Sequence, residues 1–172
     1  MNFADRLDAQ VREKGSPCLL GLDPHLALLP EEFSVAADPS APRGDRAGAV
    51  ADFLCELTDL CADRVAVVKP QSAFFELLGA DGAVAWERVV SHAHSRGLLV
   101  IGDVKRGDIA STAAAYATAA AHDPPTLAVD TAVHACEVPC THTGKNHAHT
   151  HARISLTTSG GGGARLWARA VH

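Results

Sequence analysis

The sequence predicts an α/β protein built on a parallel β-sheet. Short, continuous apolar runs alternate with longer segments whose apolar residues recur every three or four positions, as in buried strands separated by amphipathic helices. Three of these runs lead into a charged residue, namely Asp23, Lys69 and Asp103. Charges at successive strand ends are typical of the rim of a (β/α) barrel, although an open doubly wound sheet also fits the pattern.

The first elements follow from local spacing. Apolar residues at every fourth position predict a helix over residues 2–14, with Gly15 as its stop. The apolar run 18–22 predicts the first buried strand. Prolines and charges predict a long loop over 28–45, and renewed helical spacing predicts a second helix over 47–61.

Beyond the second helix the same alternation continues. The expected elements are a strand at 65–68, a helical turn at 74–78, a helix at 83–96 that Gly97 ends, a strand at 98–102, an alanine-rich helix at 110–121, and a fourth strand at 126–129. The sequence therefore predicts about four βα units. No glycine-rich G-x-G-x-x-G follows the first strand, so a dinucleotide-binding fold has no support.

Composition narrows the class of protein. The 172 residues suffice for one domain with a core, and the net charge of −5 argues against a general nucleic-acid surface. No apolar run approaches the roughly 20 residues of a membrane span. The first residues lack the features of a signal peptide, and the five cysteines are irregularly spaced. We therefore expect a cytoplasmic protein without membrane or nucleic-acid partners.

The composition changes near residue 130. All five phenylalanines lie at or before Phe75, whereas seven of the ten histidines lie between His122 and His172. We expect residues 1–130 to form an organised part and residues 131–172 to be an atypical tail rich in histidine and glycine. Our hypothesis is that the gene is frameshifted or truncated and that the tail is a frameshift product or disordered; translation of the other reading frames would test the frameshift.

The run that follows the third strand carries the chemistry. It places Asp103, Lys105 and Asp108 within six residues. An ammonium between two carboxylates is suited to deliver a proton to a carbanion, and a carboxylate facing a bound carboxylate would destabilise the substrate. The spacing predicts acid–base chemistry on an anionic substrate. The plain alternative is a solvated charged loop, and we interpret Arg106 as a surface charge.

Three sequence blocks together resemble the orotidine 5′-phosphate decarboxylases, and more narrowly their bacterial branch with a long loop after the first strand. The blocks are Gly21-Leu22-Asp23-Pro24-His25, Val67-Val68-Lys69-Pro70-Gln71 followed by Phe74-Phe75-Glu76, and Asp103-x-Lys105-x-x-Asp108-Ile109 followed by Thr112. The resemblance covers residues 1–130. The Asp-x-Lys-x-x-Asp motif alone is shared with a wider barrel superfamily.

The resemblance implies a TIM barrel that converts orotidine 5′-monophosphate to UMP in de novo pyrimidine synthesis. It also implies a homodimer with shared active sites and no metal or organic cofactor. Lys105 would protonate C6 of the pyrimidine as CO₂ leaves. Asp103 would lie against the departing carboxylate, and Lys69 would hold Asp103 and the ribose hydroxyls.

The resemblance assigns the remaining candidate residues to substrate binding and to the dimer. Asp108 would reach into the site of the neighbouring subunit and complete the alternating charge array, together with Ile109 and Thr112. Asp23 would bind a ribose hydroxyl. The late loops with which the family grips phosphate are absent, and so is the Pro-Tyr-like loop that follows its fourth strand. We therefore expect a barrel that is incomplete after the fourth strand.

Three alternatives remain at this point. The chain could be a catalytically inactive fragment of such an enzyme. It could be a Mg²⁺-dependent sugar-phosphate decarboxylase or synthase of the same superfamily, although those members carry an acidic metal ligand where Lys69 stands. The third is a zinc-binding tail, for which the possible ligands are Cys136, Cys140, His142, His147, His149 and His151.

Overall fold

The computed structural model describes residues 3–106, residues 111–112, 115–116 and 119 of a following helical segment, and the backbone of three short strands nearer the carboxyl terminus. The helices are α1 (Phe3–Lys14), α2 (Arg43–Cys61), α3 (Ser72–Glu76) and α4 (Gly79–Ser95). The strands are β1 (Leu19–Leu22), β2 (Val67–Pro70), β3 (Leu99–Gly102), β4 (Thr131–Val133), β5 (Arg153–Ser155) and β6 (Trp167–Arg169).

Four strands form one parallel sheet in the order β1-β2-β3-β4, which confirms the predicted α/β class. Leu20 lies opposite Val68, and Val68 lies opposite Val100. The predicted fourth strand at 126–129 lies outside the described residues, and the strand that pairs with β3 is Thr131–Val133. Strands β5 and β6 form a separate antiparallel pair.

Helices cover both faces of the sheet, as parallel strands require. On one face Leu22, Val68 and Val100 are fully buried in a cluster with the inner sides of α2 and α4. Successive strand residues point to opposite faces. Val67 and Leu99 therefore face the other way, where side chains of α1 pack on them.

Helices α2 and α4 begin earlier than the sequence predicts. Helix α2 starts at Arg43 rather than at residue 47, directly after Pro42. The proline has a φ of −53°, which suits the start of a helix, and Asp45 in the first turn is favourable there. This first turn is mostly exposed and carries no apolar signal, so periodicity alone misses it. Helix α4 likewise starts at Gly79 rather than at residue 83, because its first turn also contains no large apolar residue that periodicity could detect.

The long loop between β1 and α2 is partly ordered by two 3₁₀ helices, Leu26–Leu28 and Glu31–Ala37. The predicted helical turn at 74–78 is α3, which begins two residues earlier. Gly97 follows α4 with a φ of +74°, which confirms it as the predicted stop. No helix in the described part of the chain has the length and apolar character needed to cross a membrane.

Candidate active site

The parallel register brings the carboxyl ends of β1, β2 and β3 to one edge of the sheet. Gly21 of β1 lies opposite Lys69 of β2. Beyond the regular pairing, Gln71 forms an isolated parallel bridge with Asp103. Because functional side chains of α/β proteins collect at this edge, Asp23, Lys69 and Asp103 lie where chemistry is expected.

Lys69 connects the two acidic residues of this edge. Its Nζ lies 3.2 Å from Oδ2 of Asp103 and 3.9 Å from Oδ1 of Asp23. The shorter contact is a hydrogen bond, whereas the longer one is an ion pair at the limit of direct contact. The Lys69 side chain is 29% exposed, so solvent weakens these interactions less than at an open surface.

Asp103 is the most buried of the four charged residues, with 16% of its side chain exposed. Its Oδ1 accepts a hydrogen bond from Lys105 Nζ at 2.6 Å, while Oδ2 also accepts one from Gln71 Nε2 at 2.9 Å. Its backbone N–H donates to Pro70, and its carbonyl accepts from the N–H of Ser72. Both the backbone and the carboxylate of Asp103 are therefore fixed.

These contacts set the charge of Asp103. Partial burial acts to raise the pKa of its carboxyl group, but the hydrogen bonds and positive charges of Lys105 and Lys69 outweigh burial and hold the pKa below its ordinary value. Asp103 is therefore a carboxylate at neutral pH. The site presents an anion between two cations, with Lys105 the more exposed of the two at 53%.

Gln71 is a member of the network to which sequence analysis assigned no role. It lies two positions after Lys69, so its side chain points to the same face of the extended chain and can reach the same carboxylate. The spacing of two residues between Lys69 and Gln71 could have indicated that the two side chains lie on the same face. Without the position of β3, however, the sequence did not indicate which acid Gln71 would contact.

The predicted residues divide into those within and those outside the described part of the chain. The structure brings Asp23, Lys69, Asp103 and Lys105 into one network. Thr112 is exposed in the helical segment that follows β3. Asp108 and Ile109 lie outside the described residues.

The structure does not agree with the interpretation of Arg106 as a surface charge. Its guanidinium bonds the carboxylate of Glu76, donates to the carbonyl of Lys105 at 2.9 Å and lies 5.5 Å from the centre of the Tyr116 ring. Only 30% of its side chain is exposed. The sequence places Glu76 and Arg106 thirty positions apart, so their contact depends on the tertiary fold.

Among the described residues, no group of three or more histidine, cysteine, aspartate or glutamate side chains is placed to hold a metal ion. The cysteine and histidine residues of the possible zinc tail, between positions 136 and 151, lie outside the described part.

A parallel sheet covered on both faces, with an acid–base network at its carboxyl edge, defines an α/β protein of the class that includes the (β/α) barrels and the open doubly wound sheets. Residues 21–141 match the model of the orotidine 5′-phosphate decarboxylase / HUMPS family. The chain therefore belongs to this family, and its sheet supplies four adjacent strands of the barrel.

Individual relatives agree with this assignment. The orotidine 5′-phosphate decarboxylase of Rhodopirellula baltica is 48% identical over 120 residues, which are 69% of this chain and 39% of the relative. A crystal structure from Streptomyces avermitilis, assigned as an orotidine 5′-phosphate decarboxylase, superimposes on this chain with a TM-score of 0.54. The two sequences are 38% identical, and the match covers 68% of this chain and 38% of the other. The Leishmania donovani OMP decarboxylase gives a TM-score of 0.51 at 34% identity, over 69% and 39% of the two chains.

The matches cover only part of the relatives, and in this chain they extend past residue 130. The chain spans about 39% of the length of the curated relatives it matches. The family match runs past position 130 to residue 141, and it includes β4, which pairs with β3.

Proposed function

We propose that this protein serves the decarboxylation of orotidine 5′-monophosphate to UMP, as a carbon–carbon lyase of de novo pyrimidine synthesis. The observation that carries the proposal is the network of Lys69, Asp103 and Lys105 at the carboxyl edge of the sheet. The names of the relatives support the same reaction.

Asp103 would act on the ground state of the substrate. A carboxylate that stays ionised beside the carboxylate of orotidine monophosphate would repel it, and departure of CO₂ would relieve that repulsion. Gln71 and Lys69 hold Asp103 in place from one side. The repulsion therefore cannot be relaxed by simple rotation of the Asp103 side chain.

Lys105 would act on the charge that develops during the reaction. As the bond between C6 and the carboxyl carbon breaks, its electron pair remains on C6. A preplaced ammonium stabilises this charge without reorganisation and then transfers a proton from Nζ to C6. Its greater exposure makes Lys105 the cation that a ligand at this edge can reach.

Substrate binding would draw on further residues of this chain. Lys69 and Asp23 would bind ribose hydroxyls. We further propose a cytoplasmic homodimer in which Asp108, with Ile109 and Thr112, completes the pocket of the neighbouring subunit. Much of the binding energy would come from parts of the substrate that are remote from C6, above all its phosphate. Groups outside the network of Asp23, Lys69, Asp103 and Lys105 would have to bind that phosphate.

The boundary between the decarboxylase part and the tail lies close to β4 in our proposal. We propose that the decarboxylase part extends from the amino terminus through β4, slightly beyond the expected boundary at residue 130, and that the remainder up to residue 172 is a tail of different character. Pairing of β4 with β3 supports an end beyond residue 130, and so does the family match, which reaches residue 141.

A catalytically inactive fragment is the second candidate. The short span relative to the curated relatives favours it, because much of their length has no counterpart in the match. The Mg²⁺-dependent sugar-phosphate reaction is less well supported. Lys69, a cation paired with Asp103, stands where that group would carry an acidic ligand.

The decisive experiment is a spectrophotometric assay of orotidine monophosphate turnover by the purified full chain. Lys105→Ala is the test variant. Lys14→Ala, which removes a lysine at the far end of α1, is the matched control. Turnover that Lys105→Ala abolishes and Lys14→Ala retains would support the decarboxylase. A folded chain without turnover above the Lys105→Ala background would support the inactive fragment.

A further inference from the structure

Arg106 makes three contacts at once, with α3, with the backbone of its neighbour Lys105 and with the helical segment that follows β3. Its Nη2 pairs with Glu76 at the end of α3, its Nη1 donates to the backbone carbonyl of Lys105 at 2.9 Å, and its guanidinium carbon lies 5.5 Å from the ring centre of Tyr116. A side chain with this many partners is held in one conformation. It also holds the backbone of the residue before it.

Helix α3 anchors the same loop at both ends. The N–H of Ser72, the first residue of α3, donates to the carbonyl of Asp103 at 3.1 Å. Glu76, the last residue of α3, bonds Arg106. The two ends of α3 therefore hold residues 103 and 106 of the loop. Lys105 lies between these two anchored residues.

Packing holds the first part of this loop more firmly than the second, because Val104 is buried whereas Lys105 and Arg106 are not. A cavity of about 210 Å³ lies beside it, and Val104, Arg106, Tyr116 and Trp86 are among its lining residues. Atoms that face a cavity lack the close contacts that hold side chains in a well-packed interior. On this side the polar contacts of Arg106 add to the burial of Val104 in positioning the loop.

We propose that Arg106 is a positioning residue for Lys105. By joining the carbonyl of Lys105 to Glu76 and to the face of Tyr116, it sets the backbone from which the Lys105 ammonium reaches Asp103. The inference goes beyond the proposed decarboxylation, which it uses only in one arm of the test. Precise placement matters because small displacements of a catalytic group can reduce a rate by up to about a hundredfold.

The contacts require arginine rather than another cation. A guanidinium donates in several fixed directions and stacks on an aromatic ring, whereas a lysine ammonium is a compact charge without a planar face. Arg106→Lys therefore keeps the charge but loses the combination of contacts. This variant therefore distinguishes a positioning role of Arg106 from a role of its positive charge alone.

The test measures the position of Lys105 without requiring turnover. The chain has four lysines, so trace acetylation at neutral pH followed by mass spectrometry gives the reaction rate of each. Lys14 on α1 is the internal reference. In Arg106→Leu we expect Lys105 to react several-fold faster relative to Lys14, because its ammonium is less often bound to Asp103. Lys69, which β2 holds, should keep its rate.

Arg88→Leu is the matched control. Arg88 lies on α4 and pairs with Asp52 of α2, away from the loop, so this variant loses a comparable ion pair. We expect wild-type lysine reactivities in Arg88→Leu and a partial increase at Lys105 in Arg106→Lys. If Arg106→Leu does not fold, Glu76→Gln carries the same test, since it removes the carboxylate partner.

The outcomes separate this inference from the proposed function. An unchanged Lys105 rate in Arg106→Leu, or an equal increase in Arg88→Leu, would overturn it. An increase specific to Lys105 would support it even in a chain without turnover, in which case the proposed function alone fails. Where the chain turns over substrate, Arg106→Leu should lower kcat about tenfold and leave KM nearly unchanged, as displacement of a catalytic group predicts.

Discussion

The ammonium of Lys105 lies 2.6 Å from Oδ1 of Asp103, whereas Lys69 donates its hydrogen bond to Oδ2 of the same carboxylate. The two lysines therefore divide one carboxylate between them instead of competing for one oxygen. Each cation has its own position, so the carboxylate remains bound on one side when a ligand draws the more exposed lysine away. This division of Asp103 between two lysines makes the site suited to a reaction in which one ammonium gives up a proton.

Gln71→Leu should weaken the network without changing its charges. The substitution removes the Nε2–H donor to Oδ2 of Asp103, and a hydrogen bond to a charged group contributes about 1.5–3 kcal/mol. We expect the free energy of unfolding at pH 7 to fall by about 1–2 kcal/mol in urea denaturation. Ser95→Ala, which removes an exposed side-chain hydrogen bond to the carbonyl of His92 in α4, is the control. Equal losses in both variants would mean that Gln71 does not support Asp103.

Two glycines in helices offer a paired test of packing between α3 and α4. A Cβ at Gly82 would lie 1.8 Å from the carbonyl oxygen of Phe75, whereas one at Gly48 would meet no atom within 4 Å. We expect Gly82→Ala to destabilise the fold by about 1–3 kcal/mol, since backbone must move to relieve the clash. Gly48→Ala should stabilise it by up to about 1 kcal/mol, through helix propensity alone.

Urea denaturation of both glycine variants at pH 7 would check these signs. If Gly82→Ala is as stable as the parent chain, α3 does not pack on α4 as described. The result would also bear on the active site, because α3 carries the Ser72 and Glu76 contacts to the loop after β3.

His94 should make the fold sensitive to mild acid. Burial lowers the pKa of its imidazole to about 4, with a smaller contribution from the charge of Arg6. Its Nε2 is buried without a hydrogen-bond partner in the described part of the chain. The unfolded chain takes up a proton as the pH falls below about 6.5, whereas the folded chain does not until about 4. The contribution of neutral His94 is therefore complete above 6.5 and is lost as the pH falls toward 4.

The measurement is the free energy of unfolding of wild type and His94→Leu at pH 7 and pH 5. We expect wild type to lose about 1–2 kcal/mol more than the variant between these values. His92→Leu, which removes a histidine bonded to Asp59 on the same helix, controls for loss of an imidazole from α4. Identical pH dependence in wild type and His94→Leu would contradict the prediction.

The sequence predicted the parts of this site that depend on a single strand. Asp23, Lys69 and Asp103 each follow directly from an apolar run, and parallel strands bring such ends together whatever the remaining details. The contact between Lys105 and Asp103 also follows from their separation of two residues. These predictions needed no knowledge of how the helices pack.

The parts that sequence analysis missed depend on contacts between elements. Arg106 meets Glu76 only because α3 lies across the loop after β3, and neither residue shows this by its neighbours in the chain. The first turns of α2 and α4 were missed because they contain no large apolar residue and therefore show no apolar periodicity. A charged residue within a motif can thus be interpreted as solvated when its partner belongs to another block of the sequence.

The proposed dimer with shared active sites makes a prediction about mixtures of inactive variants. If Asp108 completes the site of the neighbouring subunit, a hybrid of Lys105→Ala and Asp108→Ala subunits has one site with both defects and one intact site. Mixing the two variants after dissociation should restore about a quarter of the wild-type activity, because half of the dimers are hybrids with one working site each. A mixture of Lys105→Ala and Lys69→Ala is the control, and it should stay inactive because each hybrid site lacks one lysine. Failure of the first mixture to recover, with an active wild type, would mean that each subunit forms its site alone.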